Sequence, residues 1–345
     1  MSEDSRGMRE REQREVLTRV QLLNRRGELA QPGFATHMLF EYEKRRVKGF
    51  PFRLKEWDFY QFSLGDWVLQ MTIGHVSYVT QISANLFSLV DGKRYEFSRM
   101  YPFQRKELDF SADPELPGRL EIAGTDYRMR FDTYADHKRL RLKEKDRVDI
   151  DLYLPWDPSE DKMVIATPFD KQNQFYLNCK EHYYGVKGHV RFEDVTVRAD
   201  GHQTGLLDWG RGVWPFHQEW FWGCGADWQA GGRFGFNIGW GFGDTSHATE
   251  NMFFWNGQAH KLGDLQVDRD PENHVAPWRF HTQDGHFDLT MTPVFDNYTE
   301  TKLAFVNNNC HQVFGRFQGQ AVLEDGTVLE IKDMLAFCEH AVNNW

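Results

Sequence analysis

Hydrophobic and polar residues alternate with a period of two along most of the chain after Trp57. In residues 137–155 one face of this pattern is apolar, and charged residues occupy most of the positions between its members, which are Leu140, Leu142, Val148, Ile150, Leu152 and Leu154. Successive side chains of a strand point to opposite faces of a sheet, so the pattern predicts a long strand with one buried and one solvated face. The alternation of strands and helices that a parallel α/β sheet requires is not found.

Five Asx-Gly dipeptides lie between strand-like segments, at residues 91–92, 200–201, 256–257, 284–285 and 325–326. Asx-Gly favours the type I′ turn of β-hairpins, because both central residues of that turn have positive φ. The chain is therefore predicted to be all-β, with antiparallel strands that form barrels or sandwiches.

The first thirty residues are predicted to form an arm outside this β body. Residues 9–24 are rich in helix-forming residues, and Val16, Val20 and Leu23 have helical spacing, which predicts a short amphipathic helix. The sequence Gln31-Pro32-Gly33 is expected to end it. A change in composition near residue 200 predicts two tightly joined β domains, residues 31–200 and residues 201–345.

Charge and composition narrow the classes of partner. The net charge of −10 argues against nucleic acid, whose phosphates need a positive protein surface. No window approaches the ~20 apolar residues of a membrane helix, and the charged N-terminus lacks the apolar region of a secretory signal. We therefore expect a cytoplasmic protein that is not an integral membrane protein. The four scattered Cys and the His residues lack ligand spacing, so neither a metal nor another cofactor is expected.

The second half contains a segment rich in both Trp and Gly. Seven of the twelve Trp lie in residues 209–255, and twelve of the 29 Gly lie in residues 201–243. Rings can form the walls of a cleft, while Gly lets a ligand or another segment come close. In residues 233–243 one predicted face is bare except for Arg233 and Asn237, and the other carries Phe234, Phe236, Ile238, Trp240 and Phe242. The bare face predicts either a cavity or a closely packed second sheet.

Three carboxylates are expected on apolar strand faces, namely Asp208, Glu250 and Glu339. Burial raises the pKa of a carboxyl group, which suits a general acid at neutral pH. Glu250 and Glu339 have no basic residue nearby in the sequence, so we assign them to proton transfer. Asp208 completes the catalytic set, with Arg211 as its expected counter-ion; a purely structural Asp208–Arg211 pair is the alternative. The residues expected to contact the ligand are Arg211, Trp214, Trp220, Trp222, Asn237 and Trp240.

Several motifs of the second half resemble those of a bacterial family catalogued as domain of unknown function 2804. The most specific are GLLDWGRGVWP at residues 205–215 and the Thr249-Glu250-Asn251 triplet. That family has no established activity. More distantly, the chain is similar to the hydroxyneurosporene synthase (carotenoid hydratase) and AttH-like proteins. This resemblance implies two lipocalin-like β-barrels packed together and an apolar ligand, and it transfers no catalytic residue.

Three functions fit these observations. The first is a cofactor-independent acid–base enzyme, a hydratase, isomerase or cyclase, that protonates a lipid or terpenoid-like molecule. The second is a lipocalin-like module that binds an apolar small molecule without turnover. The third is a glycoside hydrolase, in which Trp rings stack on sugars and the carboxyl groups of Glu250 and Glu339 lie ~5–9.5 Å apart.

Overall fold

The computed structural model describes residues 13–344, except residues 49–52, 77, 104, 106, 304 and 305. Within these ranges the protein is all-β, as predicted, and almost every strand pairing is antiparallel. The first three strands are short: β1 (Val20–Gln21), β2 (Gly33–Ala35) and β3 (Phe40–Glu41). A single-turn 3₁₀ helix (Lys44–Arg46) follows them. β1 and β3 form a small parallel pair.

The first large sheet has twelve strands. The order along it is β7-β6-β5-β4-β14-β13-β11-β10-β9-β8, and β12 joins β13 on one side and β2 on the other. Its remaining strands are β4 (Leu54–Leu64), β5 (Trp67–Val76), β6 (Val79–Ser88), β7 (Arg94–Pro102), β8 (Gly118–Ala123), β9 (Tyr127–Thr133), β10 (His137–Glu144), β11 (Val148–Pro155), β12 (Met163–Pro168), β13 (Phe175–Phe192) and β14 (Val195–Val213).

The second large sheet has nine strands in the order β18-β17-β16-β15-β23-β22-β21-β20-β19. They are β15 (His217–Gln229), β16 (Gly232–Trp240), β17 (Met252–Trp255), β18 (Gln258–Lys261), β19 (Leu265–Asp268), β20 (Trp278–Thr282), β21 (Phe287–Leu303), β22 (Val306–Val322) and β23 (Val328–Asn344). The two curled sheets match the predicted pair of lipocalin-like β units.

Each sheet has a hydrophobic core on one face and meets the other sheet with its opposite face. On β14, Leu207 and Trp209 belong to the core of the first sheet, because they alternate with residues that face the second sheet. Leu206, the residue before Leu207, lies on the opposite face and packs with Trp222 and Phe337 of the second sheet. The second sheet keeps a separate core around residues such as Phe236 and Trp278. The contact between the sheets is therefore a third apolar layer.

The predicted N-terminal helix is wrong for the residues that the structure describes, and residues 1–12 lie outside them. Residues 13–24 are mainly extended. Val16 is hydrogen-bonded through its backbone N–H to Phe34, and Val20 in the same way to Leu39. Leu23, like Val16, is buried in the core of the first sheet. The body of the protein offers backbone partners and an apolar surface to an extended chain, and this tertiary contact overrides helix propensity.

Two further sequence expectations need correction. Residues 137–155 form the hairpin β10–β11 instead of one strand, although the apolar face is buried as predicted. Asp200-Gly201 lies within β14, where the pairing register with β13 shifts and Gly201 has a φ of +107°, so it forms a bulge. The other four Asx-Gly dipeptides lie in turns between antiparallel strands. Residue 200 is inside β14, whereas the change of sheet comes after Val213; the division into domains stays a prediction.

Candidate functional site

A cleft of about 350 Å³ lies between the two sheets, on the faces that do not form their cores. The first sheet contributes β4, β5, β6, β13 and β14, and the second contributes β15, β21, β22 and β23. All three carboxylates predicted from the sequence, Asp208, Glu250 and Glu339, line this cleft. Trp214, Trp220 and Trp222 line it as well.

Aromatic rings form one wall of the cleft. The rings of Trp57 and Trp214 meet edge to face at 5.3 Å, and Phe242 lies 5.4 Å from Trp220 and 5.6 Å from Trp214. Phe242 reaches this wall because β16 ends at Trp240 and Gly241 then turns the chain with a φ of +89°. Gly210 has a different role: it leaves room for Trp57, since a Cβ at Gly210 would overlap the indole ring. The Trp- and Gly-rich composition therefore builds flat walls, as expected.

A buried lysine connects two of the carboxylates. Lys180 Nζ lies 3.4 Å from Asp208 Oδ1 and 3.3 Å from Glu250 Oε2. It also donates to Asn178 Oδ1 and lies 4.5 Å from the centre of the Trp222 ring. Burial alone would lower the pKa of Lys180, but the negative charges of Asp208 and Glu250 outweigh burial and raise it. The ammonium group is therefore charged at neutral pH and holds both carboxylates beside the cleft.

Hydrogen bonds fix the orientation of both carboxylates. The Trp57 indole N–H donates to Asp208 Oδ2 (3.1 Å) and the Asn178 amide to Asp208 Oδ1 (2.6 Å). Asn237 donates to Glu250 Oε2 (3.0 Å) and accepts from the Trp222 indole N–H (2.8 Å). These hydrogen bonds hold both carboxylates in fixed orientations in the wall of the cleft.

Glu339 comes from the second sheet, on β23. The Trp220 indole N–H donates to its Oε1 (2.8 Å), and Gln312 approaches its Oε2 at 3.4 Å. Burial raises the pKa of Glu339 to about 7, with a smaller contribution from the charge of Asp208, while the Trp220 hydrogen bond opposes the rise. At neutral pH this carboxyl group is thus divided between its protonated and ionised forms, as a general acid requires.

Side-chain amides surround Glu339. Gln70 donates to Gln312 Oε1 (2.6 Å), which also accepts a longer bond from Asn297 (3.3 Å). The Oδ1 atoms of Asn308 and Asn343, which line the same part of the cleft, have no hydrogen-bond partner among the described residues. The cleft therefore combines an aromatic wall with a polar region.

Arg211 lies elsewhere, and the expected ion pair with Asp208 does not form. Its guanidinium is fully buried, donates to Asp58 Oδ1 (2.9 Å), and lies 4.0 Å from the centre of the Trp209 ring. Asp208 and Arg211 are three positions apart on one strand, so their side chains point to opposite faces. Arg211 faces the core of the first sheet and does not line the cleft.

Trp240 also lies outside the cleft. Asn237 does not line the cleft either, but it is hydrogen-bonded to Glu250 and Trp222, which do. Trp240 stacks on Phe221 at 4.7 Å, on the core side of the second sheet. The bare face of β16 is closely packed: a Cβ at Gly239 would meet the Glu250 side chain, and one at Gly235 would approach Tyr184 and His182. Of the two predictions for this face, close packing is the one the structure shows.

Lys180 is the charged residue that sequence reasoning missed. It lies in a run of buried residues on β13, where burial of a lysine requires a negative partner. Its place opposite Asp208 follows from the register of the β13–β14 hairpin, which pairs these two residues. Glu250 has no basic residue nearby in the sequence, and its cationic partner Lys180 comes from a distant strand.

The fold and the cleft define an all-β protein of two packed, lipocalin-like curled sheets with an aromatic-rich interior suited to a small ligand. The described part of the chain holds no helix with the length and hydrophobicity that a bilayer crossing requires. The chain belongs to the family described as Domain of unknown function (DUF2804), whose sequence profile matches residues 13–345.

Solved structures with a similar fold include the following two. An AttH-like protein from Nitrosomonas europaea shares 13% identity with a TM-score of 0.52, and the match covers 87% of this chain and 95% of the other. Kievitone hydratase from Nectria haematococca shares 9% identity with a TM-score of 0.47, and this match covers 84% and 88%. No curated protein matches the sequence. At such identity the first likeness supports the fold alone.

Proposed function

We propose that this protein is a cofactor-independent acid–base enzyme that adds, shifts or removes a proton on a small, largely apolar molecule bound in the cleft. The observation that carries the proposal is Glu339, a buried carboxyl group with a pKa of about 7 in an aromatic cleft. Two further carboxylates, Asp208 and Glu250, line the same cleft, and Lys180 holds them in place.

In the proposed reaction, Glu339 donates its proton to one carbon of an alkene in the substrate. The electron pair of the double bond forms the new C–H bond and leaves a cation on the adjacent carbon, which the faces of the Trp rings stabilise. Water that adds to this cation passes a proton to Asp208 or Glu250, which gives a hydratase. Loss of a proton from a neighbouring carbon to the same carboxylates gives an isomerase. Attack by another double bond of the substrate forms a ring and moves the cation to a new carbon, and loss of a proton from there to the same carboxylates gives a cyclase.

The polar region places a further requirement on the ligand. Asn343 is almost fully buried, and its unpaired Oδ1 and that of Asn308 can only accept hydrogen bonds. A hydroxyl group on an otherwise apolar ligand would supply a donor to one of these two oxygens. The proposed substrate is therefore a lipid or terpenoid-like molecule that carries an alkene and a hydroxyl group.

The test begins with the molecules that co-purify with the protein, identified by mass spectrometry. They are then incubated in D₂O with the wild type, with Glu339→Gln and with Glu272→Gln, an exposed control on the surface. We expect deuterium incorporation or a mass gain of one D₂O with the wild type and the control. The rate should fall by about 10²–10⁴ in Glu339→Gln, the usual contribution of a general acid.

Other outcomes separate the alternative functions. A bound lipid that never exchanges or reacts, with equal affinity for wild type and Glu339→Gln, would favour the binding module without turnover. An oligosaccharide among the released molecules, cleaved by the wild type alone, would favour the glycoside hydrolase. Either result would overturn the proposed reaction.

A further inference from the structure

A second cavity of about 220 Å³ lies between the sheets and shares no lining residue with the cleft. Its walls come from the turn between β9 and β10, from the end of β11 and the segment that follows it, from β13, and from β16, β17 and the turn after β17. Nothing in the proposed acid–base reaction uses these residues. The cavity is therefore a separate feature of the molecule.

The lining of this second cavity carries an excess of negative charge. Five of its residues are acidic and two, Lys162 and Arg233, are basic. Both cations already have anionic partners: Arg233 pairs with Glu160 (2.5 Å) and Lys162 with Glu115 (3.3 Å). His182 adds no compensating charge, since burial lowers its pKa to about 4. Asp136 and Asp161 contact His137 and His37, and Lys138 pairs with Glu181. The lining still has more acidic than basic side chains, which favours a cation.

Two buried polar atoms in the lining have no hydrogen-bond partner among the described residues: Oε1 of Glu181 and Nε1 of Trp156. The Glu181 side chain is 2% exposed, and its other oxygen accepts from Lys138 (2.7 Å) and from the Tyr183 hydroxyl (2.5 Å). Buried polar groups without partners are rare and costly in folded proteins. One atom is an acceptor on an anion and the other is a donor, so together they match a ligand that carries both a donor and an acceptor.

We propose that the second cavity is a binding site for a small aliphatic cation with one primary ammonium group and one hydroxyl group, an amino alcohol. The ammonium donates to Glu181 Oε1 and is attracted by the surplus carboxylates, Asp157 among them. The hydroxyl oxygen accepts from Trp156 Nε1. The non-polar chain between these groups contacts Pro155 and Phe254, which also line the cavity.

The experiment is calorimetric titration of the full-length protein with four compounds of equal chain length. They are 4-aminobutan-1-ol, butan-1-amine, butane-1,4-diol and 4-hydroxybutanoate. We expect 4-aminobutan-1-ol to bind most tightly with one site per chain, the amine and the diol to bind about tenfold more weakly, and the anion not to bind. This order separates recognition of the charge from recognition of the hydroxyl group.

Variants locate the site. Glu181→Gln and Asp157→Asn should each lower the affinity for 4-aminobutan-1-ol by about fivefold or more. Trp156→Phe should lower this affinity to that for butan-1-amine. Thermal melts identify any variant that fails to fold, and Asp157→Asn and Trp156→Phe carry the test if Glu181→Gln does not fold. Glu272→Gln, which makes the same change in net charge on the surface, should leave the affinity unchanged.

Several results would overturn this second site. These are no binding of 4-aminobutan-1-ol, equal binding of all four compounds, or equal losses in Glu181→Gln and Glu272→Gln. If Glu250→Gln abolished binding of 4-aminobutan-1-ol while Glu181→Gln and Asp157→Asn bound it as the wild type does, the cation would lie in the cleft instead. None of these results bears on deuterium incorporation by Glu339, so the two proposals fail independently.

Discussion

The pKa of Glu339 predicts a specific dependence of stability on pH. Burial raises this pKa from the ordinary 4.5 to about 7. Since one pKa unit corresponds to about 1.4 kcal/mol, the rise is equivalent to about 3 kcal/mol. Between these two pKa values the folded protein keeps a proton that the unfolded chain has released. The contribution of Glu339 to the free energy of unfolding is therefore fully present below the lower value and lost as the pH rises through the upper one.

The variant Glu339→Gln removes the titrating group and with it this component. Relative to the wild type, the free energy of unfolding of Glu339→Gln should rise by about 3 kcal/mol from about pH 4 to about pH 8. Urea denaturation followed by Trp fluorescence at closely spaced pH values measures the difference, and the Glu272→Gln control should show a much smaller change. A flat difference curve for Glu339→Gln would mean that the carboxyl group has an ordinary pKa. Glu339 could then not serve as the proposed acid at neutral pH.

Three further predictions concern the architecture of the cleft. Lys180→Met leaves two partly buried carboxylates without their cation and should lower the free energy of unfolding by about 3 kcal/mol in urea denaturation; a loss below about 1 kcal/mol would contradict the proposed role of this ammonium group. Gly210→Ala should cost about 1–3 kcal/mol because its Cβ displaces the Trp57 ring. Gly74→Ala, whose nearest contact is 3.4 Å away, is the matched control, and equal losses would refute the steric explanation. Arg211→Lys should cost about 1–3 kcal/mol, because lysine loses several of the buried hydrogen bonds, yet leave the affinity for the co-purified ligand unchanged; weaker binding would place Arg211 in the site.

The parts of the fold that could be predicted from the sequence are those that depend on local signals, such as turn dipeptides and the spacing of apolar residues. The Asn256-Gly257 turn has φ values of +50° and +86°, as the dipeptide predicts for a two-residue hairpin. Asp200-Gly201 carries the same signal but forms a bulge, because positive φ is equally useful inside a long, bent strand. The spacing of Val16, Val20 and Leu23 suits a helix or an extended segment packed on a core, and local propensity cannot decide between them.

The candidate site was predictable in composition but only partly in geometry. The three carboxylates and three of the four Trp residues predicted to contact the ligand line the cleft, because apolar strand faces must be buried somewhere. The strand pattern was sufficient to show that Arg211 does not pair with Asp208, since a separation of three positions puts two strand residues on opposite faces. The contact of Lys180 with Glu250 could not have been derived in this way. It depends on how two sheets pack, which no local pattern specifies.

A short segment between Val213 and His217 connects the two sheets in the chain, and each sheet supplies only part of the cleft. Lys180 and Asp208 come from one side of that connection, and Glu250 and Glu339 from the other. Cutting the chain there would yield two fragments, neither of which carries a complete set of charged groups. Ligand capture by the mixed fragments would then report their reassociation, so this scaffold is a natural candidate for a split-protein sensor.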